Sequence, residues 1–358
     1  MKLLTIVGAR PQFIKASVVS RAIKQHQALN EIIVHTGQHF DSNMSDIFFD
    51  QLNIPRPDHQ LNISGGSHGV MTARMLVEIE KVIALEKPDR LMVYGDTNST
   101  LAGALAAAKM HVPIAHIEAG LRSFNMNMPE EINRILTDQV SDVLYCPTQV
   151  AIDNLAREGF ADKAAEVMNV GDVMQDSALF FAQRAQAPVG PEISEGFILA
   201  TLHRAENTDD PARLRSIIAA LNHIHTTIAP VLLPLHPRTR RVIADLGIDL
   251  RASVIAPVGY LEMIWLLQKS GLVLTDSGGV QKEAFFFGKP CVTMRDQTEW
   301  VELITRGANV LVGANTDHIV AAVKSSHGSV IVDSETLYGG GRASVKIAEH
   351  LNSIALSK

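Results

Sequence analysis

The sequence predicts an α/β fold in which two doubly wound halves face each other across a cleft. Short apolar, β-branched runs alternate with amphipathic helical segments along the whole chain, a pattern typical of a parallel sheet with helices on both faces. A chain of 358 residues is long for a single core and fits two domains. We therefore predict an N-terminal domain over 1–170, a C-terminal domain over 171–340, and a helix within 341–358 that packs back on the first domain.

Each predicted element follows from its local pattern. Candidate strands in the first half cover 3–7, 31–35, 90–94, 113–117 and 142–146, with helices over 69–85 and 97–109. Candidate strands in the second half cover 196–201, 230–235, 253–258, 272–275, 290–294 and 309–313, and the final helix covers about 342–354. Ligands of open α/β sheets bind at the carboxyl ends of the strands, so we expect the site in the cleft between the halves.

Composition and charge exclude several classes of function. The net charge of −6 argues against a nucleic-acid partner, which would require a basic surface. No apolar run is long enough to cross a membrane, and Gly8 and Arg10 interrupt the first apolar run too early for a signal peptide. Cys146 and Cys291 are far apart and resemble small core residues, and no HExxH or CxxC motif predicts a metal site. We therefore expect a cytoplasmic protein without a metal.

The segment LVLTDSGGVQKEAFFFGKP, at 272–290, has the pattern of an anion site. A short apolar strand leads into a serine–glycine turn, and a helix follows. The first N–H groups of a helix lack partners and carry a partial positive charge, and glycine allows a ligand to approach closely. Ser277, Gly278 and Gly279 are therefore candidate anion-binding residues, and Glu283 could reach a sugar hydroxyl. A simple cap formed by Asp276 or Ser277 would explain the same turn.

A second strand-to-helix turn, GARPQFIK, carries two cations. Gly8 ends the first predicted strand, and Pro11 suits the first turn of a helix. Arg10 and Lys15 lie near the start of that helix, where cations can hold phosphate oxygens. Two solvated surface charges are the alternative explanation, but the position favours a ligand role.

Acidic residues follow two further strands and open one helix. Asp96 comes after the strand ending at residue 94, Glu118 after the next strand, and Glu130 at the start of the helix in MPEEINR. Asp96 could be a helix cap, and Glu130 with Glu131 could complement a helix dipole. If Asp96, Glu118 and Glu130 converge on one rim, their mutual repulsion would separate their pKa values and suit them to acid and base roles.

In the second half, His203 is the best acid–base or phosphate-binding candidate among the histidines, because it directly follows a strand in LHRAEN. A structural loop histidine remains the alternative. Met263 fits the core of a helix better than a base-stacking position, although 258–263 also follows a strand end.

Taken together, the motifs GARPQFIK, YGDTNSTLAGALAA, HIEAGLRS, MPEEINR, LHRAEN and TDSGGVQKEA resemble the non-hydrolysing UDP-N-acetylglucosamine 2-epimerase family. The resemblance runs from residue 1 to about 313 with the motifs in the family's order. It implies a GT-B-like pair of Rossmann-type domains with the active site between them. It also implies inversion at C-2 of a UDP-2-acetamido sugar, without metal or nicotinamide.

The resemblance implies a mechanism and a set of site residues. A base removes the C-2 proton while UDP leaves C-1, and UDP re-adds to the glycal intermediate after the proton returns on the opposite face. The positions that match the family's essential acids and histidine are Asp96, Glu118, Glu130 and His203. The positions that match its UDP contacts are Arg10, Lys15, Val258, Met263, Ser277, Gly278, Gly279 and Glu283.

Departures from the family pattern indicate a different sugar. Trp300 stands where the family has an arginine, and Asp41 stands where its allosteric segment has a glutamine. The segments LRSFNMNMPEEINRILTDQVSD and TEWVE are most similar to the branch that acts on UDP-2,3-diacetamido-2,3-dideoxyglucuronate for bacterial O-antigen. A uronate requires an additional cation, for which Arg122, Arg134 and Arg204 are candidates.

Other functions stay open at this stage. UDP-N-acetylglucosamine is the alternative substrate, while a hydrolysing 2-epimerase, a GT-B glycosyltransferase and a non-enzymatic UDP-sugar sensor would share the UDP site. Dinucleotide binding is disfavoured because GARPQF lacks the GxGxxG spacing. The family resemblance also implies a homodimer.

Overall fold

The computed structural model describes residues 1–38, 55–190, 195–332 and 336–357. The chain forms two compact units, Met1–Ser177 with Glu335–Lys358, and Ala178–Ser334. We call them unit 1 and unit 2. Asp41, which the sequence analysis placed in a possible allosteric segment, lies outside the described residues.

Unit 1 is built on one parallel seven-stranded sheet with the order β3-β2-β1-β4-β5-β6-β7. Its strands are β1 (Lys2–Val7), β2 (Asn30–His35), β3 (His59–Gln60), β4 (Arg90–Tyr94), β5 (Ile114–Ile117), β6 (Val143–Cys146) and β7 (Glu166–Asn169). Every residue of β4, β5 and β6 is buried, because helices cover both faces of a sheet whose strands are mostly apolar.

The helices of unit 1 connect successive strands. They are α1 (Arg10–Ile23), α2 (His68–Glu86), α3 (Asn98–Lys109), α4 (Pro129–Val140), α5 (Gln149–Arg157), a 3₁₀ turn (Phe160–Asp162), α6 (Val173–Ala182) and, at the C-terminal end, α14 (Ala343–Leu356). The chain passes from unit 1 to unit 2 within α6. Helix α3 is rich in alanine and almost entirely buried, so it packs closely on the sheet.

Unit 2 repeats the same plan with a parallel six-stranded sheet of order β10-β9-β8-β11-β12-β13. Its strands are β8 (Ile198–Thr201), β9 (Val231–Pro234), β10 (Ser253–Ile255), β11 (Leu272–Thr275), β12 (Cys291–Thr293) and β13 (Asn309–Leu311). Its helices are α7 (Ala205–Thr208), α8 (Pro211–Thr227), α9 (Pro237–Asp245), α10 (Tyr260–Lys269), α11 (Gly278–Phe286), α12 (Val301–Thr305) and α13 (Thr316–Ser326).

Both sheets have the strand order of a Rossmann-type doubly wound fold, so the predicted fold class is confirmed. All the strands predicted from sequence are present, with ends shifted by a few residues. Two short strands were not predicted from the sequence: β3, which is two residues long, and β7, which is partly exposed at the sheet edge and lacks an apolar run.

The unit boundary lies further along the chain than the predicted boundary at residue 170. Residues 171–177 belong to unit 1 because they bond to it: the Asp172 amide donates to the Tyr338 carbonyl, and the Ser177 hydroxyl donates to the Ile14 carbonyl. At the other end, unit 1 resumes at Glu335 instead of residue 341, and α14 packs against α1.

Among the described residues, no helix is both long and apolar enough to cross a membrane. Cys146 and Cys291 are buried free thiols. The described parts of the chain also contain no group of three or more histidine, cysteine or acidic side chains suited to a metal ion.

The attachment of α14 gives a stability prediction. Asp176 is buried and accepts hydrogen bonds from the Ala343 amide (3.1 Å) and the Ser344 amide (2.7 Å) at the start of that helix. Replacing Asp176 with alanine should lower the free energy of unfolding of unit 1 by about 2 kcal/mol, because it leaves buried donors without an acceptor. Urea denaturation measures the loss.

The matched control is the Asp210→Ala variant, which removes an exposed cap from α8. We expect a loss of about 1 kcal/mol there, because water can replace the lost acceptor. Equal losses for the two variants would show that burial of the Asp176 contacts does not matter.

Candidate active site

The predicted site residues cluster where each sheet reverses its strand order. In unit 1 the reversal lies between β1 and β4, and in unit 2 it lies between β8 and β11. Chains that leave neighbouring parallel strands in opposite directions open a crevice at the carboxyl ends, which is where open α/β sheets bind ligands. Each unit therefore carries its own candidate site.

In unit 1, a buried ion pair joins the helix after β1 to the turn after β5. The Lys15 ammonium lies 2.6 Å from Oε2 of Glu118, and both side chains are largely shielded from solvent. Burial lowers the pKa of Lys15, but the charge and hydrogen bond of Glu118 outweigh it, and the charges of Asp172 and Asp96 add to the same side. The net result is a raised pKa, so Lys15 is a permanent cation at this edge.

Asp96, at the end of β4, is held by a cation from α4. Nη2 of Arg134 lies 2.5 Å from Oδ2 of Asp96, and Nη1 of the same guanidinium lies 2.5 Å from Oε2 of Glu131. Arg134 is buried, whereas about a third of the Asp96 side chain is exposed. Asp96 therefore combines a fixed orientation with access from solvent. We call Lys15, Asp96, Glu118 and Arg134 the carboxylate site.

Glu130 does not join this group. It is exposed on the first turn of α4, and within the described residues it makes no hydrogen bond or ion pair. The inner face of α4 is formed by Glu131, Arg134 and Asp138, which are spaced at helical intervals and are all buried. Glu130, although it lies one helical turn before Arg134, is exposed instead. The expected convergence of three carboxylates is thus seen for Asp96 and Glu118 only, and a catalytic role for Glu130 stays a prediction.

Glu131, treated in the sequence analysis as a dipole complement, has a larger structural task. It is buried and accepts from the amides of Ser123 and Phe124, at 2.9 Å each, as well as from Arg134. It therefore fixes the segment between β5 and α4. The sequence offered no signal to separate it from Glu130, because both lie in the same helical turn.

The turn after β1 is joined to the turn after β4 by Gln12, which the sequence analysis also missed. Its side-chain oxygen accepts from the amides of Gly8 (2.8 Å) and Ala9 (3.1 Å), while its nitrogen donates to the Tyr94 carbonyl (2.7 Å). Gly8 has no room for a side chain, because a Cβ there would lie 2.0 Å from the Ser99 hydroxyl. Arg10 is half-buried and opens α1 beside this turn.

Arg122 has a different environment from the one expected for a sugar contact. Its Nε and Nη2 bond to Glu158 at 2.6 and 2.7 Å, and its Nη1 lies 2.8 Å from Asp138. The guanidinium is buried and occupied by two carboxylates. Its partners lie far away in sequence, so the pairing could not be read from the local motif.

In unit 2, Ser277 caps α11 as the sequence analysis suggested. Its hydroxyl accepts from the Val280 amide, and the Thr275 hydroxyl accepts from the Ser277 amide (2.9 Å). Gly278 and Gly279 form the first turn and are partly exposed. The partial positive charge of a helix N-terminus therefore opens to solvent directly after β11.

Beside this turn, Asp276 holds the loop after β8. Its buried carboxylate accepts from the amides of His203 (3.0 Å) and Arg204 (2.9 Å), and lies 3.1 Å from Nδ1 of His203. Burial raises the pKa of Asp276, but the hydrogen bond and charge of His203 and the two amides outweigh it and lower the pKa overall. About half of the His203 side chain stays exposed. We call His203, Arg204, Asp276, Ser277 and Gly278 the anion site.

A cavity of about 190 Å³ adjoins the anion site. His203, Ser277, Val258 and Met263 all line it, so four residues predicted separately from sequence share one cavity. Its walls are mostly apolar, with Pro234, Pro257 and Val280 among them, and suit a flat ring more than a charged group. Met263 was expected in the core because it lies on a helix. Its side chain forms part of the cavity wall as well.

Glu283 lies on α11 and is buried next to Tyr260. Burial raises the pKa of the Tyr260 hydroxyl well above its usual range, and the negative charge of Glu283 raises it further. Tyr260 is therefore neutral.

Arg204, Glu299 and Trp300 also surround the anion site, with Oε1 of Glu299 2.5 Å from a Cβ placed on Gly278. Nη2 of Arg204 lies within 3.8 Å of a Cβ constructed on Gly278, and its guanidinium makes no hydrogen bond or ion pair in the described residues. Trp300 donates from Nε1 to the Gly278 carbonyl (2.9 Å) and packs under the Lys282 ammonium at 4.2 Å. The tryptophan that departs from the family pattern thus supports the turn itself.

Paired carboxylates on one doubly wound sheet and a helix-terminal anion site on another are typical of enzymes that act on nucleotide-linked substrates. A family model described as UDP-N-acetylglucosamine 2-epimerase matches residues 21–352. The chain belongs to this family. Epimerases are isomerases, which gives the enzyme class.

Individual relatives agree with this membership. The chain is 75% identical to a Pseudomonas aeruginosa protein named UDP-2,3-diacetamido-2,3-dideoxy-D-glucuronate 2-epimerase, over 98% of this chain and 99% of the relative. The crystal structure of Methanocaldococcus jannaschii UDP-GlcNAc 2-epimerase in complex with UDP-GlcNAc and UDP has a TM-score of 0.86 and 40% identity, covering 99% of this chain and all of the other. A Neisseria meningitidis UDP-GlcNAc 2-epimerase bound to UDP-GlcNAc has a TM-score of 0.87 and 31% identity with the same coverage.

The lowered pKa of Asp276 gives a pH prediction. A carboxyl whose folded pKa lies below its ordinary value of 3.8 stabilises the fold above that pH and loses this effect as the pH falls through the folded pKa. Unit 2 of the wild type should therefore lose stability below about pH 4 more steeply than Asp276→Asn. Thermal unfolding across this range measures the difference.

The control is the Asp296→Asn variant, which changes an exposed carboxylate paired with Arg213 at 3.0 Å. Its acid profile should follow the wild type, because solvent screens that pair. If the stability of the wild type and of Asp276→Asn fell equally with pH, the lowered pKa of Asp276 would be contradicted.

Proposed function

We propose that the protein inverts C-2 of a UDP-2-acetamido sugar, and that its substrate is UDP-2,3-diacetamido-2,3-dideoxy-D-glucuronate, which it converts to the manno isomer. The observation that carries the proposal is the juxtaposition of Asp96 and Glu118, each paired with a buried cation, in a chain of the 2-epimerase family. The choice of sugar is supported by the 75% identity to the Pseudomonas aeruginosa relative of that name.

In this proposal the anion site of unit 2 binds UDP. The diphosphate accepts hydrogen bonds from the first amides of α11, at Gly278 and Gly279, and from the Ser277 hydroxyl. The uracil ring occupies the cavity beside Val258 and Met263. His203, held by Asp276, presents its exposed ring to the phosphates or to the reacting sugar. Glu283, next to Tyr260, is the proposed ribose contact.

The carboxylate site of unit 1 supplies the proton transfers. We propose that Asp96 and Glu118 act as the acid–base pair on the two faces of the sugar ring, with Glu130 as a further participant. Lys15 orients Glu118, and Arg134 orients Asp96, through these ion pairs. Arg10 and Lys15 are the proposed UDP contacts on this unit.

The chemistry then balances without a cofactor. A carboxylate takes the C-2 proton, the C-2–H electron pair forms the C-1=C-2 double bond, and the C-1–O bond breaks as UDP leaves with its electron pair. An acid returns a proton to the opposite face of C-2, and the UDP oxygen attacks C-1. Helix amides and cations stabilise the charge on the leaving diphosphate, which is the main electrostatic demand of the step.

A uronate substrate adds one negative charge, and Arg204 is the proposed cation for it. Arg122 is occupied by Glu158 and Asp138, and Arg134 is occupied by Asp96 and Glu131. Of the three predicted arginines, Arg204 is the one whose hydrogen bonds within the described residues involve its backbone alone. Its place next to Gly278 puts it close to the proposed diphosphate.

We further propose the cellular setting that accompanies this substrate: a cytoplasmic enzyme, working as a homodimer, in the synthesis of a bacterial O-antigen or related surface polysaccharide. UDP-N-acetylglucosamine is the second candidate substrate, favoured by the structural similarity to the archaeal relative bound to that sugar.

The test is an assay of purified protein with each of the two UDP-sugars separately and no acceptor, followed by NMR. We expect conversion of the diacetamido uronate to its 2-epimer, with kcat/KM about 10- to 150-fold above that for UDP-N-acetylglucosamine, because one extra charge-assisted contact provides about 1.5–3 kcal/mol.

Each alternative function predicts a different result in the same assay. Release of free UDP with the epimerised sugar would indicate a hydrolysing enzyme. No conversion without an acceptor would indicate a glycosyltransferase or a binding protein. Equal use of both sugars would contradict the proposed substrate while retaining the reaction.

The role of Arg204 is tested by the Arg204→Met variant. KM for the diacetamido uronate should rise about 10- to 100-fold, whereas KM for UDP-N-acetylglucosamine should change by less than about 3-fold, because only the uronate loses a charged contact. Arg251→Met, which changes an exposed arginine paired with Asp249, is the control and should leave both values unchanged. Equal increases for the two sugars would reassign Arg204 to the diphosphate.

A further inference from the structure

One buried pair in unit 1 is unexplained by the proton transfers themselves. His116 lies within β5, and Asp138 lies on the inner face of α4; neither side chain has any solvent exposure. Nδ1 of His116 lies 2.6 Å from Oδ1 of Asp138, and Nε2 of His116 lies 2.8 Å from the carbonyl oxygen of Gly95. Burying a polar pair so completely is costly unless both groups are fully bonded.

The bonding partners of His116 determine one proton position. A carbonyl oxygen only accepts, so Nε2 of His116 carries a hydrogen and donates it to Gly95. Asp138 also accepts from Nη1 of Arg122 (2.8 Å) and from the Gly120 amide (3.1 Å). Both ring nitrogens of His116 are therefore bonded, and Asp138 joins the ring to the buried guanidinium of Arg122.

This pair holds both turns that carry the carboxylates of the site. His116 bonds to the Gly95 carbonyl, directly before Asp96, and Asp138 bonds to the Gly120 amide, two residues after Glu118. Gly95, Glu118 and Gly120 all have positive φ angles, of 62°, 69° and 76°. A left-handed conformation is unfavourable for glutamate, so surrounding contacts must maintain it.

The two turns also lie against each other. A Cβ constructed on Gly95 would be 3.4 Å from Oε2 of Glu118, the oxygen that pairs with Lys15. A small shift of either turn would therefore change the placement of both carboxylates relative to a bound sugar. Displacements of about 1 Å in an active site can cost about 100-fold in rate.

We propose that His116, with Asp138, is a positioning residue for the epimerisation: it clamps the Gly95–Asp96 turn and the Glu118–Gly120 turn in the geometry that proton transfer at C-2 requires. This inference rests on the proposed function. We expect His116 to act through these two turns of unit 1 without contacting the substrate.

The experiment compares His116→Phe and His116→Gln with the wild type. His116→Phe removes both hydrogen bonds and should lower kcat about 100-fold while changing KM less than about 3-fold, because UDP binding does not depend on this pair. His116→Gln keeps a donor for the Gly95 carbonyl, so it should retain more activity than His116→Phe. Activities are compared per folded molecule, from thermal unfolding of each sample.

Matched carboxylate variants provide the control. Asp138→Asn breaks the contact at the carboxyl end of β5 and should lose activity as His116→Phe does. Asp142→Asn makes the same change at the other end of β5, where Asp142 accepts from the Ile114 amide at 2.7 Å, and should retain kcat within about 2-fold. Wild-type kcat in folded His116→Phe, or an equal loss in Asp142→Asn, would overturn the proposal.

A readout without activity separates failure of the clamp from failure of the proposed function. In protein labelled with ¹⁵N-histidine, the signals lost in His116→Gln should come from a ring that carries a hydrogen on Nε2. A ring without a hydrogen on Nε2 would overturn the clamp whatever the reaction. If the wild type epimerises neither UDP-sugar but this Nε2 hydrogen is present, the proposed function fails and the clamp geometry stands.

Discussion

The carboxylates at the end of the unit 1 sheet depend on one constraint: a charge next to a buried parallel sheet must be paired. Glu118 is paired with Lys15 and Asp96 with Arg134, and Asp138 is paired with His116 and Arg122. Each pairing fixes the orientation of a carboxylate. The charges needed for proton transfer are thereby held in place by the same contacts that make their burial tolerable.

Unit 2 meets the same constraint with one carboxylate. Asp276 is buried at the end of β11, where it accepts from two amides of the loop after β8 and from the ring of His203. The Asp276 carboxylate is buried and fully bonded, so a ligand cannot reach it. Its hydrogen bonds hold the loop in which the His203 ring is half-exposed and Arg204 lies beside the first turn of α11. A negative residue thus organises a site suited to an anion, because its own charge is already satisfied.

The sequence was sufficient for the fold class, because alternating apolar strands and amphipathic helices leave a strong local signal. It was also sufficient for the turns after β1, β4, β5, β8 and β11, since any polar residue directly after a buried strand reaches the carboxyl edge of the sheet. The strand β7 escaped because its sequence EVMN has no apolar run. Which of Glu130 and Glu131 faces inward depends on the rotation of α4, which no motif specifies.

Contacts between distant segments could not be predicted from the sequence. Arg122 was a candidate for binding the sugar until its pairing with Glu158, 36 residues away, became visible. His116 could have been noticed, because a histidine inside the apolar run PIAHI must find partners when buried. Its partner Asp138 lies on another element, so the clamp that they form required the tertiary structure.

The central claim is that acidic groups of this protein remove and return the hydrogen at C-2 while UDP stays bound. Incubation of the wild type with the diacetamido uronate in D₂O tests it most directly, with deuterium at C-2 read by NMR. The account predicts that the newly formed manno epimer carries deuterium at C-2 and that free UDP does not accumulate. A manno epimer that retains the original hydrogen at C-2 would contradict the account, because inversion would then proceed without exchange through these carboxylates.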